Sequence, residues 1–221
     1  MKKNIAIIDT ETAGGFDNPM VYDIGCVIID QKGNMVAEYH SLVKEVWESN
    51  LMETAYYSNK IPCYDSMILD DLDINYWDDI RNEFSNLFDI HSVGIVSAYN
   101  LRFDMGAIRN TNNQLGQNTK FLTKKVDLLD LWLWACSAIM NKRTYHNYAD
   151  THGFTTPAGN YKTSAETAYA FLANIPNFVE SHTALDDCYI EAEIAKTLLK
   201  RKGKKPLNEL HGCPWRIAQP A

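Results

Sequence analysis

The segment NIAIIDTETAGG, residues 4–15, constrains this chain more than any other. An apolar, β-branched run reads as a buried strand over Asn4 to Asp9 and then meets two acids. Successive strand side chains point to opposite faces, so Asp9 and Glu11 project together while Thr10 turns away. Like charges held side by side repel, which costs stability unless something positive lies between them. The pair alone leaves two readings open: solvated acids at a strand end, or ligands of a divalent cation.

The rest of the sequence builds an α/β domain around that strand. Tyr22 to Asp30, with its core IGCVIID, and Met35 to Val43 follow it, joined by the turn Gln31-Lys32-Gly33-Asn34, so the first three strands form a meander. Trp77, Ile80, Phe84, Leu87 and Phe88 recur at helical spacing. Val93 to Ala98, VGIVSA, lacks polar alternation and reads as a central strand covered on both faces. A short strand is expected near 125–127, with helices over 51–58, 103–113, 128–140 and 165–173 and from His182 to about Arg201. The sum is a mixed five-stranded sheet flanked by helices. If the first strand lies beside 93–98, Asp9, Glu11 and Asp104 converge at the carboxyl ends, where open α/β sheets bind ligands.

Composition narrows the class. Hydrophobic residues make up 46% and charged residues 22%, which suits one globular domain, taken as 1–203 with an extension over 204–221. No stretch is apolar enough to span a bilayer, and MKKNIAIIDTE reaches its acids too soon for a signal peptide, so a cytoplasmic protein with no membrane partner is expected. The five scattered cysteines, without a CxxC, suit free thiols. A net charge of −7 argues against a protein that coats duplex DNA. It leaves room for one that grips a strand end with the help of cations. Lys196, Lys200, Arg201, Lys202, Lys204 and Lys205 read equally as a helix end with a solvated tail or as a nucleic-acid contact.

SHTALDD, residues 181–187, is more informative. Thr183 and Asp186 have the spacing of a capping box, which leaves His182 just outside a helix and Asp187 inside its first turns. An imidazole on the preceding loop can reach over a site into which Asp187 points.

Taken in order, DTET, YNLRFD and HTALDD resemble the DEDDh exonuclease family, the group within the ribonuclease H-like fold that includes proofreading exonucleases, ribonuclease T and oligoribonuclease. The chain is similar to the compact exonucleases carried by some phages. The resemblance implies that Asp9, Glu11, Asp104 and Asp187 bind two divalent metals and that His182 is the general base. Thr10, Thr12, Ala13 and Gly14 follow the family's pattern for contacts to a terminal nucleotide, and Asn100 a position near the scissile phosphate. Phe103 is either a stacking wedge for a base or a residue packed beneath its helix, and Tyr56 and Tyr57 are placed at the entrance. The chain departs from the family at Tyr99, where histidine is frequent. Hard oxygen ligands select Mg²⁺ or Mn²⁺ over zinc, as two ions roughly 3.5–4 Å apart. Asp9 is assigned as the bridge, Glu11 and Asp187 to the ion nearer the attacking water, and Asp104 to the ion nearer the leaving oxygen. The implied activity is 3′ to 5′ hydrolysis of single-stranded DNA ends. Its rivals are an RNA-trimming exoribonuclease and a non-catalytic nucleic-acid-binding or polymerase-associated module. Proofreading would require a polymerase or replication partner on another chain.

Overall fold

The computed structural model describes residues 3–117, 120–201 and 204–220. Three strands come first: β1 Asn4–Ala13, β2 Met20–Ile29 and β3 Met35–Val43. After them run α1 Lys44–Trp47, 3₁₀ turns at Asn50–Thr54 and Ser58–Lys60, α2 Ile61–Leu69, β4 Ile74–Asn75 and α3 Trp77–Ile90. Then β5 Val93–Ala98 leads into α4 Leu101–Gln114, and β6 Asp127–Asp130 into α5 Leu131–Ala135 and a π turn at Cys136–Met140. α6 Arg143–His152, α7 Ala165–Ala173, α8 Ala184–Lys200 and a 3₁₀ turn at Pro214–Ala218 complete the order.

The sheet runs β4-β3-β2-β1-β5-β6, six strands rather than five, because Ile74 and Asn75 add a short parallel edge to β3. β1, β2 and β3 are antiparallel neighbours, and β1, β5 and β6 are parallel. Strand alternation sorts the core into two layers. Ile5 and Ile7 face Trp134, Ile139, Ile194 and Leu198 on one side. Ala6 and Ile8 face Trp77, Ile80, Phe84 and Ile108 on the other. Both β2 and β5 are buried along their whole length, as the lack of alternation in VGIVSA anticipates.

Several sequence expectations shift. β1 does not stop at Asp9: it continues through both acids to Ala13, beyond its last pairing with β5 at Ile7 and Ser97. The acids therefore sit inside a strand held on one side by β2 and open on the other. The apolar stretch 128–140 begins as strand, and helix starts only after Asp130, whose Oδ1 accepts the Leu133 amide at 3.0 Å. A short apolar run carries no periodicity that separates strand from helix. The helix expected over 51–58 is two 3₁₀ turns. Lys200 lies in the last turn of α8, and Lys200, Arg201 and Lys204 are exposed, but beyond them the chain returns to the sheet: Leu207 bridges to Leu129, Asn208 bonds both backbone groups of Leu128, and Lys205 donates to Gln31. Lys202 lies outside the described residues. No helix among the described residues is long and apolar enough to cross a membrane, and the five cysteines are free.

One glycine sets how α8 meets the sheet. Gly25 pairs with Asp9 across the β1/β2 ladder. A Cβ on it would fall 2.5 Å from the carbonyl carbon and oxygen of Ala184, so the start of α8 rests directly on β2. Gly25→Ala is expected to cost about 1–3 kcal/mol by overpacking against backbone. Urea denaturation checks this, and an unchanged midpoint would show that α8 does not depend on the close approach.

Candidate active site

Asp9 and Glu11 point from β1 toward the face covered by α8. Asp104 arrives from the opposite layer, in the first turn of α4 and only 3% exposed, and its Oδ1 accepts the Thr10 hydroxyl at 3.0 Å. The strand thus serves both faces: two residues supply carboxylates, and the one between them holds a third. Asp187 lies in the first turn of α8. One oxygen each from Glu11 and Asp187 and a ring nitrogen of His182 lie within 4.8 Å of one another.

The expected capping box is replaced by a tertiary cap. The Thr183 hydroxyl donates to Asp186 Oδ2 at 2.8 Å and caps no backbone amide. Instead Asp23 Oδ2, on β2, accepts the Ala184 amide at 2.9 Å. Asp23 is fully buried and also takes bonds from the Tyr64 hydroxyl at 2.6 Å and from His40 Nε2 at 2.8 Å. It sits directly across from Glu11 in the ladder, so one cross-strand pair carries a cleft acid and the anchor of the helix that bears Asp187.

His182 adopts φ +57° and Asn100 φ +73°, both left-handed conformations that non-glycine residues seldom take. Such backbone persists where surrounding structure enforces it, commonly at functional sites. The His182 ring stacks on Tyr57 at 4.0 Å, nearly parallel, and its Nδ1 stands 3.8 Å from Asp187 Oδ2, too far for a hydrogen bond. Burial, helped by Lys60, holds its pKa below the ordinary value, which favours the neutral ring.

The remaining residues line a cleft of about 750 Å³: Thr10, Thr12, Asn100, Phe103, Tyr56 and Tyr57 all face it. Phe103 is exposed at the rim rather than packed beneath its helix. Ala13 does not face the cleft, being buried in the core, and Gly15 takes that place. Tyr99 is accommodated without histidine: its hydroxyl donates to the Thr163 carbonyl at 2.7 Å and its amide to Glu191 Oε2 at 3.0 Å. Two further acids, Glu180 and Glu191, also face the cleft and were not anticipated. Their signals were the four-residue spacing of Glu191 from Asp187, which shares a helix face, and the nearness of Glu180 to His182.

Burial and mutual repulsion raise every one of these acids. Glu11 is pushed up to about 9, Glu180 to about 8, and Asp104 and Asp187 to about 7, desolvation being the main cause throughout. Asp9 and Glu191 are raised as well. Asp187 Oδ1 is buried without a hydrogen-bond partner. An unpaired buried carboxylate oxygen among further carboxylates fits a hard divalent cation, and among the described residues Glu11, Asp187 and His182 are the ones placed within ligand distance of one another.

These shifts fix the sign of a stability profile. Between about pH 4 and 9 the folded acids bind more protons than the unfolded chain, so stability falls as pH rises through that window. His182, depressed, acts in the opposite direction but is one group against six. In chelator the thermal midpoint should drop steadily from pH 5 to 9, and Mn²⁺ should raise it more at pH 8 than at pH 5. A flat profile in chelator would mean that the acids are not buried together.

No family model matches the sequence, and a comparison with curated proteins finds no match. The mixed sheet with helices on both faces is a fold shared with solved exonucleases. More narrowly, the chain has the DEDDh exonuclease fold. It superposes on the nuclease domain of 3′hExo, a DEDDh family member solved bound to rAMP, with a TM-score of 0.64 and 13% identity, covering 94% of this chain and 97% of that one. A 3′-exonuclease solved in recognition of the histone mRNA stem-loop gives 0.63 and 12%, covering 96% and 68%. E. coli exonuclease I, solved with a dT13 oligonucleotide, gives 0.57 and 15%, covering 91% of this chain but only 41% of that longer one.

Proposed function

We propose that this chain is a divalent-metal-dependent 3′ to 5′ exonuclease that releases nucleoside 5′-monophosphates from single-stranded ends. The observation that carries the reading is the convergence of Glu11, Asp187 and His182 within 4.8 Å, beside Asp9 and Asp104, in one cleft. The fold shared with 3′-exonucleases that act on RNA and DNA ends supports it.

Asp9, Glu11, Asp104 and Asp187 would hold the ions. When bound, two such ions neutralise the acids, lower the pKa of the attacking water and stabilise the leaving 3′ oxygen. His182 accepts the proton of that water, a role suited to a ring whose surroundings favour the neutral form. Its left-handed backbone and the Tyr57 stack hold the imidazole at the edge of the acids. Thr10 fixes Asp104 through its hydroxyl. Asn100, Thr12 and Gly15 form the surface against which a terminal nucleotide rests, and Phe103 is placed to stack on a base.

Single-stranded DNA is the preferred substrate in this reading and RNA the alternative, since the acids do not distinguish the sugars. The test is a time course on 5′-labelled DNA and RNA strands, single and double stranded, with Mg²⁺ or Mn²⁺. A ladder shortening from the 3′ end is expected, faster on DNA. Absence of cleavage on every strand would leave a binding module of the same fold.

A further inference from the structure

A second groove opens beside the cleft. It holds about 560 Å³ and shares four lining residues with the first, Phe16, Pro19, Asn100 and Phe103, so the two are continuous. Its long wall is the exposed side of α4, where Arg102 and Arg109 both line it. Seven residues apart, they stand on one side of the helix, two turns or about 10 Å from each other. Neither side chain makes an ion pair or hydrogen bond with any described residue, although the protein carries more acids than bases. The facing lip is fixed by Asn110, whose Nδ2 donates to the Pro19 carbonyl at 2.8 Å. Asp17 is the one acid among the lining residues.

We propose that this groove carries the sugar-phosphate backbone of a single strand immediately 5′ of its terminal nucleotide, with Arg102 and Arg109 each paired to a phosphate. Three features select that occupant. The groove leads directly from the cleft, and Phe16 and Phe103 stand exposed at the junction, where bases leaving the cleft can stack. Guanidinium forks match phosphate oxygens with two parallel bonds. Two unpaired cations along a tract spell a repeating anion rather than a single one. Backbone contacts also explain how a chain of net charge −7 holds a polyanion: the positive groups needed lie only along the strand's path. The assignment rests on the exonuclease reading for the direction of the strand but not for its presence.

The test is binding by the full chain in chelator, measured as competition by unlabelled oligo-dT of twelve and of two nucleotides against a fluorescent strand. The Arg102→Ala/Arg109→Ala double variant should raise Kd for the twelve-mer about tenfold or more and for the dinucleotide less than twofold. The slope of log affinity against log salt for the longer strand should shrink by about 1.4, two phosphates at ~0.7 each. A control that removes equal charge from the other face of the sheet, Lys142→Ala/Arg143→Ala, should change neither by more than twofold. Equal loss on both lengths, no loss on the longer strand, or the same loss in the control would overturn the groove. Length-dependent, arginine-dependent binding without cleavage under Mg²⁺ or Mn²⁺ would instead overturn the exonuclease reading and leave the groove standing.

Discussion

Asp9→Asn is expected to lower hydrolysis of a 5′-labelled strand by about three orders of magnitude or more and to weaken Mn²⁺ binding with it, whereas His182→Ala should lose turnover and keep the ion. The size follows from what a bound ion contributes, several kcal/mol of charge stabilisation at the reacting phosphate, at about 1.4 kcal/mol per tenfold in rate. Asp9 is the acid best placed to lose all of it, since it stands on the central strand among Asp104, Glu191, Glu11 and Asp187. Removing a general base costs about 10²- to 10⁴-fold, so rate alone does not separate the two variants. Ion binding does. Titration calorimetry with Mn²⁺ should show the His182 variant binding like the wild type. His182 lies within ligand reach of Glu11 and Asp187, so loss of binding in that variant would make it a ligand and remove the general-base assignment.

Much of this site was readable from local pattern. Two acids spaced by one residue must share a strand face, and Asp186 and Asp187 mark the first turn of α8 beside His182, although Thr183 caps no backbone amide there. α7 falls at Ala165–Ala173, where the pattern put it. What escaped the sequence is what depends on distant partners. The cap of α8 comes from Asp23, 161 residues away, and no window of sequence contains both. Glu191 is an ordinary helical glutamate until the Tyr99 amide and the cleft are brought against it. The stretch 44–75 has no long period to read, yet it supplies Tyr57, Lys60 and Tyr64, which respectively stack on His182, depress its pKa and hold Asp23. The family's pattern places Thr10 against a terminal nucleotide, whereas its turn away from Asp9 and Glu11 delivers its hydroxyl to Asp104, a partner 94 residues on.

Asp23→Ala should be the most destabilising single substitution near the cleft, by about 3–5 kcal/mol. The carboxylate is fully buried and satisfies three donors at once, the Tyr64 hydroxyl, the Ala184 amide and His40 Nε2. Alanine removes both acceptor oxygens and leaves the three donors without their partner, at about 1–3 kcal/mol for each orphaned group. Tyr64→Phe removes one donor and leaves Asp23 with two partners, so its cost should stay near 1 kcal/mol. Asp23→Asn should fall between, because the amide nitrogen cannot accept a bond from the donor it would face. The same network fixes where α8 starts, and with it the positions of His182 and Asp187. A variant that folds should therefore bind Mn²⁺ more weakly even though Asp23 is not assigned as a ligand. Urea denaturation and Mn²⁺ titration on the three variants test both halves. If Asp23→Ala unfolds at the wild-type midpoint, the first turn of α8 is held by the Gly25 contact alone, and the ordering of the cleft acids does not depend on the buried carboxylate.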